Sequence, residues 1–487
     1  MLVAETGIGA SIVQNRTITK PGQSLPSSET MADMWNPLLE RMPRERLERR
    51  QIRKFREQAV YVYENVPVFR RKLDRAGIVP EEIDSFEDIR AVPTTTKDEL
   101  RRAQETSNDG SDRPSEETKA VAEAESTPYG ELLAVEPEAV REYHQTSGTS
   151  GTPLRQADSG RDWEWWSDCW ATVLWSQGIR PDDRVFFPFS YNVFVAFWAA
   201  HYACERIGAE VVPGGNLSSV ERVELMDELE ATVFMTTPTY ALRLGEVAEQ
   251  EGIDPAATSI ERIVCAGEPG ASVPGTKAKL EERWGATVHD HAGATETGAW
   301  GYSCEGDSLG LHFNEAQFLM EVVDDDGVPV EPGETGTLIV TPLDRHAQPY
   351  LRFEQRDRVR LEEPSACDCG RTFRLADGGV LGRDDDFTTV NGVLLSPTAV
   401  EDVVRQHDGV ADEYKIVIDD HEEKESAVVT LITEAKARDL ETTRTELRHR
   451  LKQASGLSFR ITLREPGTLE RPELKADRVV DRRVNHV

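Results

Sequence analysis

The chain has 487 residues, and its 88 Asp and Glu outnumber 56 Lys and Arg, for a formal net charge of −32. Such a charge opposes binding to nucleic acid or to an anionic membrane surface, and no apolar run approaches the length of a membrane span. The length suits about two to four domains with ample core, and 38% hydrophobic against 30% charged residues is compatible with a soluble globular protein.

Met1-Leu2-Val3-Ala4-Glu5 shows no basic stretch leading into an apolar one, so the expected location is the cytoplasm. The acidic residues are spread among regular apolar patterns, which reads as a hydrated acidic surface suited to high salt, and hence a halophilic host. Residues 1–44 are expected to be a loosely ordered tail, most polar up to about residue 30. From Pro43 to Ala76 the spacing of Phe55, Ala59, Val62 and Tyr63 predicts helix. Asn65-Val66-Pro67 interrupts it, and Gly77 closes the second piece. Thr96 is a candidate cap for the next helix. Residues 103–127 hold Ser, Asp, Glu, Asn and Gly with almost nothing apolar, and read as an exposed acidic insertion.

Thr146-Ser147-Gly148-Thr149-Ser150-Gly151-Thr152-Pro153 follows a strand around Val140–His144. Its glycines permit tight bending, and its hydroxyls and N–H groups can face phosphate oxygens. A flexible linker has the same composition, and no Gly-Lys-Ser/Thr closes the run as in a Walker loop. The loop is expected to lead from the strand into a Trp-rich helix, Asp162 to Gln177. Strands at Arg184–Pro188, Glu210–Pro213, Thr232–Thr236, Ile260–Ala266 and Thr287–Asp290 then alternate with helices at Val195–Ile207, Val220–Leu229, Tyr240–Glu251 and Gly275–Trp284. This α/β alternation predicts mostly parallel sheet flanked by helices, with ligands at the carboxyl ends of the strands. From Leu311 the pattern becomes antiparallel, and from Leu395 a small α+β unit follows. The expected division is an N-terminal domain over 45–383 and a mobile C-terminal domain over 384–487.

Several strand-end loops share a type of content: Ala266 to Gly270, Gly293 to Gly298, and Arg352 to Arg358 with Asp357 among arginines. Leu474-Lys475-Ala476-Asp477 offers one of the few lysines. Of the six cysteines, Cys169, Cys204 and Cys265 stand in apolar contexts and read as small buried residues. Cys367-Asp368-Cys369-Gly370, with Cys304 and His312 upstream, forms a set of four soft ligands suited to tetrahedral zinc. Reduced, unliganded thiols are the alternative.

In combination these segments resemble the adenylate-forming acyl-CoA synthetase superfamily, and within it the phenylacetate–CoA ligase family. The likeness runs from about residue 45 to the end. It rests on the loop at 146–151, Tyr63 to Pro67, Val92 to Lys97, Gly267-Glu268-Pro269, Gly382-Arg383 and Lys475-Ala476. The resemblance implies ATP-dependent activation of an aromatic, phenylacetate-like acid as acyl-AMP, then transfer to coenzyme A. Thr146, Ser147, Gly148, Thr149, Ser150 and Gly151 would hold the β- and γ-phosphates, and Thr295 the α-phosphate. Glu296 would help hold Mg²⁺, Asp357 the ribose hydroxyls, and Gly267, Glu268 and Pro269 the adenine. Lys475 would bridge carboxylate and phosphate, Asp385 would be the hinge of the small domain, and Arg383 would support its swing. Some proteins similar to this family carry structural zinc where Cys304, His312, Cys367 and Cys369 stand.

Tyr191 to Phe194 resembles the family's acyl-pocket stretch, so Tyr191, Phe194 and Phe197 are candidates for the substrate pocket. Phe197 and Trp198 are bulkier than the residues usual there; ordinary helix packing is the other explanation. If they face the pocket, the acid is not simply phenylacetate. Thr152 stands where the family commonly has Lys, and Ala292 where it usually has an adenine-stacking Tyr. An adenylyltransferase like the coenzyme F390 synthetases and a non-catalytic nucleotide-binding relative are the alternatives. The expected partners are a small carboxylic acid and coenzyme A, and a homodimer is compatible with these features. If the acidic surface is an adaptation to salt, screening of its self-repulsion raises the melting temperature from dilute buffer to molar KCl; unfolding in molar KCl would exclude it.

Overall fold

Short apolar strands buried on both faces dictate the architecture between residues 184 and 294. In a computed structural model, residues 34–105, 127–146, 152–195, 197–306, 309–384, 387–420, 426–471 and 478–483 are described. A hairpin of β1 (Val140–Gln145) and β2 (Arg155–Ser159) precedes the main sheet. That sheet is built from β3 (Arg184–Phe187), β4 (Glu210–Pro213), β5 (Val233–Thr236), β6 (Arg262–Ala266), β7 (Thr287–Ala294), β8 (Gly298–Tyr302), β9 (Leu311–Phe313), β10 (Phe318–Val323), β11 (Thr335–Pro342), β12 (Phe353–Glu362) and β13 (Leu375–Arg383). Its order is β10-β11-β12-β13-β9-β8-β7-β6-β5-β3-β4. The strands from β4 to β7 are parallel and the rest antiparallel, so the two expected sections are one continuous sheet.

Alternating side chains supply two cores, as the pleat requires. Val185, Phe187, Val233, Met235, Val264 and Ala266 pack with the helices Gly160–Ser176 and Trp198–Ile207. Phe186, Phe234, Ile263 and Cys265 pack on the opposite face with the helices Ser219–Glu228, Pro238–Gln250 and Pro274–Trp284. A third core lies under the helices Arg44–Asn65 and Pro67–Ala76. Val66 ends the first of these helices, Pro67 begins the second, and Gly77 closes it in the left-handed conformation. Among the described residues no helix is long and apolar enough to cross a membrane.

Two boundaries differ from expectation. Residues 34–44 are packed rather than loose: Met34 and Glu40 are buried, and Glu40 pairs with buried Arg371 at 2.7 Å. The helix Lys97–Glu105 runs into the expected acidic insertion and buries Ala103 and Gln104; residues 106–126 lie outside the described set.

After β13 comes a smaller α+β body. It comprises the hairpin of β14 (Thr388–Val390) and β15 (Val393–Leu395), the helices Pro397–Arg405 and Leu440–Ser455, and a sheet of order β18-β17-β16-β19. In that sheet β16 is Val410–Asp420, β17 Ala427–Ala435, β18 Phe459–Arg464 and β19 Val479–Asp481. It has its own core, including Val400, Ile416, Leu431, Leu447 and Phe459. This body sits on the helix Pro274–Trp284. The Gly275 N–H donates to Asp402 Oδ1 at 2.8 Å, and the Thr276 hydroxyl to Glu401 at 2.8 Å. Asp412 of the small body meets Lys279, Arg283 at 3.4 Å and Arg405 at 3.9 Å. Burial alone would raise the Asp412 pKa, but Arg405, Lys279 and Arg283 more than offset it and hold it at about 2.

Candidate active site

The carboxyl ends of β3, β5, β6 and β7 open on one edge of the sheet, where parallel α/β sheets bind ligands. Gly267 and Glu268 follow β6, and Gly267 takes φ 91°, a conformation that favours glycine. The Glu268 carboxylate accepts from the Thr239 N–H at 2.9 Å, at the start of the helix Pro238–Gln250. β7 extends further than its sequence suggests and turns through Thr295, Glu296 and Thr297 into β8. The expected loop over Gly293 to Gly298 is therefore a tight hairpin turn with its carboxylate held by two strands.

Glu296 is buried and pairs with Lys97 at 2.8 Å. Lys97 is the first residue of its helix; the Thr96 hydroxyl accepts from the Glu99 N–H at 3.2 Å, and the Glu99 carboxylate accepts from the Thr96 N–H at 2.9 Å. This reciprocal cap fixes the helix start, and with it the ammonium. The sequence motif ending in Lys97 carried no assigned role. Its position as the first residue after a cap was the available signal.

The Gly/Ser/Thr loop lies elsewhere in the topology than expected. β2 stands between it and the helix Gly160–Ser176, so the loop joins two antiparallel strands in register from Gln145 to Arg155. Ser147 to Gly151 lie outside the described residues. Thr146 is buried, and its hydroxyl accepts from the Leu154 N–H at 3.1 Å, closing the loop's base. The helix Lys97–Glu105 holds the returning strand: Arg101 donates to the Thr152 carbonyl at 3.0 Å and Gln104 to the Pro153 carbonyl at 3.2 Å. Arg101 thus stands against the returning strand, where Thr152 supplies no cation.

Beneath the hairpin is a buried polar group. Arg345 and Asp158 are both fully buried and pair at 2.6 Å. Arg345 also donates to the Glu296 carbonyl at 3.3 Å, and its guanidinium lies 5.4 Å from the centre of the Trp166 ring. Tyr350 donates to Gln156 at 3.0 Å, and Asp162 accepts from the Ala347 N–H at 3.0 Å. Hairpin, Glu296 turn and the segment after β11 are thereby locked together.

Asp357 and Arg383 are paired across β12 and β13, 3.6 Å apart. Gln355, two residues before Asp357, accepts from the Thr297 hydroxyl at 3.1 Å, which joins this strand to the Glu296 turn. Ala292 is half-buried against the core on the strand leading to that turn. Lys475 and Asp385 lie outside the described residues.

Aromatic rings fill the region between β3 and β7. The Tyr191 hydroxyl is 3.0 Å from His201 Nδ1, and its ring lies 4.6 Å from that of Trp198. Phe197 packs on Phe189 at 4.5 Å. Phe194 stands apart from this group, 38% exposed. Val195 is not helical; the helix starts at Trp198 because Phe197 takes φ 63°. Trp170 lies 4.0 Å from the His291 ring, and burial pushes His291 down to about 3, which keeps it neutral.

The cysteine set comes together. Ligand atoms of Cys304, His312, Cys367 and Cys369 all lie within 4.8 Å of one another. His312 Nδ1 is 3.3 Å from the Phe373 carbonyl, and Nε2 is 3.3 Å from Cys369 Sγ. The segment at 40–42 covers the turn, with the Thr372 hydroxyl donating to the Met42 carbonyl at 2.7 Å.

The model for "AMP-binding enzyme" matches residues 75–342, and that for "AMP-binding enzyme C-terminal domain" matches residues 392–483. The phenylacetate-coenzyme A ligase of Thermus thermophilus is 31% identical over 92% of this chain and 100% of its own length. The chain belongs to the AMP-binding enzyme family, on its phenylacetate–CoA ligase branch. The Escherichia coli phenylacetate-coenzyme A ligase is 30% identical over 87% of this AMP-binding enzyme and 92% of its own length. Among solved structures, 2-hydroxyisobutyryl-CoA ligase in its postadenylation state with 2-HIB-AMP superposes with a TM-score of 0.84, at 29% identity over 94% of both chains. The same ligase with CoA in its thioesterification state gives 0.68, at 29% identity over 95% of this chain and 94% of that one.

Removing one partner of the Arg345–Asp158 pair leaves the other charge buried alone, which costs about 3–5 kcal/mol. Arg345→Ala is therefore expected to lower the unfolding free energy measured in urea by that amount. A change within the scatter of surface substitutions would show that the pair is not a structural anchor.

Proposed function

We propose that this AMP-binding enzyme is an acid–thiol ligase that activates a carboxylic acid as acyl-AMP and passes it to coenzyme A. The observation that carries this reading is the Glu296–Lys97 pair beside the base of the Gly/Ser/Thr hairpin, joined through Thr297 and Gln355 to the strand bearing Asp357. It brings a carboxylate and a cation together at the turn that follows the carboxyl end of β7. The family membership and the relatives described above support it.

In the first step a carboxylate oxygen attacks the α-phosphorus of ATP and pyrophosphate leaves. Two anions must meet, so the site has to neutralise them. Lys97, and Lys475 of the small body, serve that end. Thr146 to Gly151 hold the β- and γ-phosphates and Thr295 the α-phosphate. Gly267, Glu268 and Pro269 line the adenine, while Asp357 accepts from the ribose hydroxyls through charge-assisted hydrogen bonds. Arg383 keeps Asp357 in place until the small body turns about Asp385. In the second step the sulfur of coenzyme A attacks the acyl carbon and AMP leaves.

Two ions fit the residues present. Glu296 offers hard carboxylate oxygens of the kind Mg²⁺ takes alongside substrate phosphates, and Mg²⁺ there would neutralise phosphate charge. Cys304, His312, Cys367 and Cys369 would hold Zn²⁺ in a closed, structural site. The His312 Nδ1 contact with the Phe373 carbonyl leaves Nε2 as the ligating atom.

The test is ATP–pyrophosphate exchange over a panel of acids, with and without coenzyme A. Exchange without coenzyme A, followed by thioester when it is added, is expected; exchange without any thioester would instead indicate an adenylyltransferase. Lys475→Ala is expected to abolish exchange, and Asp385→Pro to spare it while impairing thioester formation. For zinc, protein purified without chelator should carry one equivalent by elemental analysis, and Cys367→Ser should lose it together with thermal stability. Metal-free protein of unchanged stability would leave reduced thiols as the correct description.

A further inference from the structure

Two arginines flank Lys475 in the chain, and each is held by a glutamate of a different strand. Glu434, near the end of β17, is fully buried opposite Arg464, where the chain leaves β18. Its carboxylate gathers the chain beyond: it accepts from the Gly467 N–H at 3.0 Å and the Leu469 N–H at 2.6 Å. Arg471 completes the set with a two-pronged contact, at 3.1 Å through Nη1 and 2.8 Å through Nη2. On the far side of Lys475, Arg478 donates to Glu413 on β16 at 2.9 Å and to the Tyr414 carbonyl at 3.3 Å. Its guanidinium lies 4.5 Å from the centre of the Tyr414 ring, and β19 begins at the next residue.

Ion pairs as buried as these add little stability over apolar residues of equal volume. Two of them, on different strands and at the two ends of one short segment, are better explained by placement. What they fix is reach. Lys475 stands four residues after Arg471 and three before Arg478. An extended chain spans at most about 3.6 Å per residue, so the Lys475 Cα lies within about 14 Å of the first anchor and about 11 Å of the second. A chain confined at both ends also has less conformational freedom to lose when its lysine meets a ligand. The first anchor faces the large body as well: Arg471 Nε is 3.8 Å from Glu246, on the helix Pro238–Gln250. That helix starts at the ligand edge of the sheet, where the Thr239 N–H donates to Glu268. Glu246 is seven residues further on, or about 10 Å along the helix axis, which is inside the length of the tether.

We infer that Arg471 and Arg478 are positioning residues: they fix the two ends of the segment bearing Lys475, and Glu246 sets the first of them against the large body, so that the lysine is held for formation of the acyl-adenylate. Each arginine acts through Lys475 rather than on the reacting atoms. This rests on the acid–CoA ligase reading above and adds to it the residues that aim its lysine.

The experiment compares the full chain with its Arg471→Lys and Arg478→Lys variants. A lysine keeps each glutamate paired but loses the two-pronged or ring-stacked geometry, so both variants should fold and melt near the wild type. Pyrophosphate exchange is measured with the fastest acid of the panel above. Thioester formation is measured with that acid's synthetic adenylate and coenzyme A. A reacting group misplaced by about 1 Å can cost about 100-fold. Each variant should therefore lose about 10- to 100-fold in kcat for exchange, with KM for ATP unchanged. Thioester formation from the supplied adenylate, which makes no use of Lys475, should keep its rate. Trypsin should cut after Lys475 several-fold faster in each variant, because cleavage follows the population of the released segment. Unchanged exchange in a folded variant, both half-reactions falling together, or unchanged cleavage after Lys475 would overturn the inference. If neither variant folds, Glu246→Lys, which sets a second cation against Arg471, decides it by the same three rates. Absence of exchange by the wild type on every acid would refute the ligase reading, and cleavage after Lys475 would then decide the anchoring alone.

Discussion

One buried ion pair sets the geometry of the site. Arg345 and Asp158 are both withdrawn from water, and each needs the other to stay there. Asp158 belongs to β2 of the hairpin that carries the Gly/Ser/Thr run, while Arg345 follows β11 and also donates to the Glu296 carbonyl. A group that can neither move to solvent nor lose its partner acts as a spacer of fixed length. It holds the hairpin and the Glu296 turn at one separation.

The parts of the site with chemistry hang from this spacer. The helix Lys97–Glu105 reaches it from outside, putting Lys97 on Glu296 and Arg101 on the hairpin's returning strand. β12 reaches it through the contact between Gln355 and Thr297. The site is thus assembled from segments some 250 residues apart in sequence, and the sheet gives each of them a rigid base. Charge balance follows the same plan. The buried Glu296 carboxylate has a lysine of its own, so its charge is paired where water is largely excluded.

Much of this was legible before the fold was known, because burial on two faces of a parallel sheet leaves a periodic trace. Phe186 and Phe187 point to opposite cores, and the strand reads as an unbroken apolar run. Cys304, His312, Cys367 and Cys369 were legible as a set because soft ligands have few other reasons to pair. What was hidden lacked such a trace. β2, Arg155-Gln156-Ala157-Asp158-Ser159, is a buried strand made largely of polar residues, so it passes for loop and the phosphate run seems to lead straight into a helix. Arg345 belongs to no motif, and its role depends on a partner 187 residues away. Residues 34–44 look like a tail because their burial comes from contacts such as that of Glu40 with Arg371, far along the chain.

The seat of the small body has a consequence for how it can leave. Asp412 is surrounded by Lys279, Arg283 and Arg405, two of them on the large body and one on its own. Lifting the small body away returns these charges to water together, so mobile ions compete directly with the clasp. In a chain of net charge −32, dissolved salt would screen repulsion across the outside and weaken the ion pairs at the contact between the bodies. Ionic strength would then act in opposite directions on the outer surface and on the contact between the two bodies.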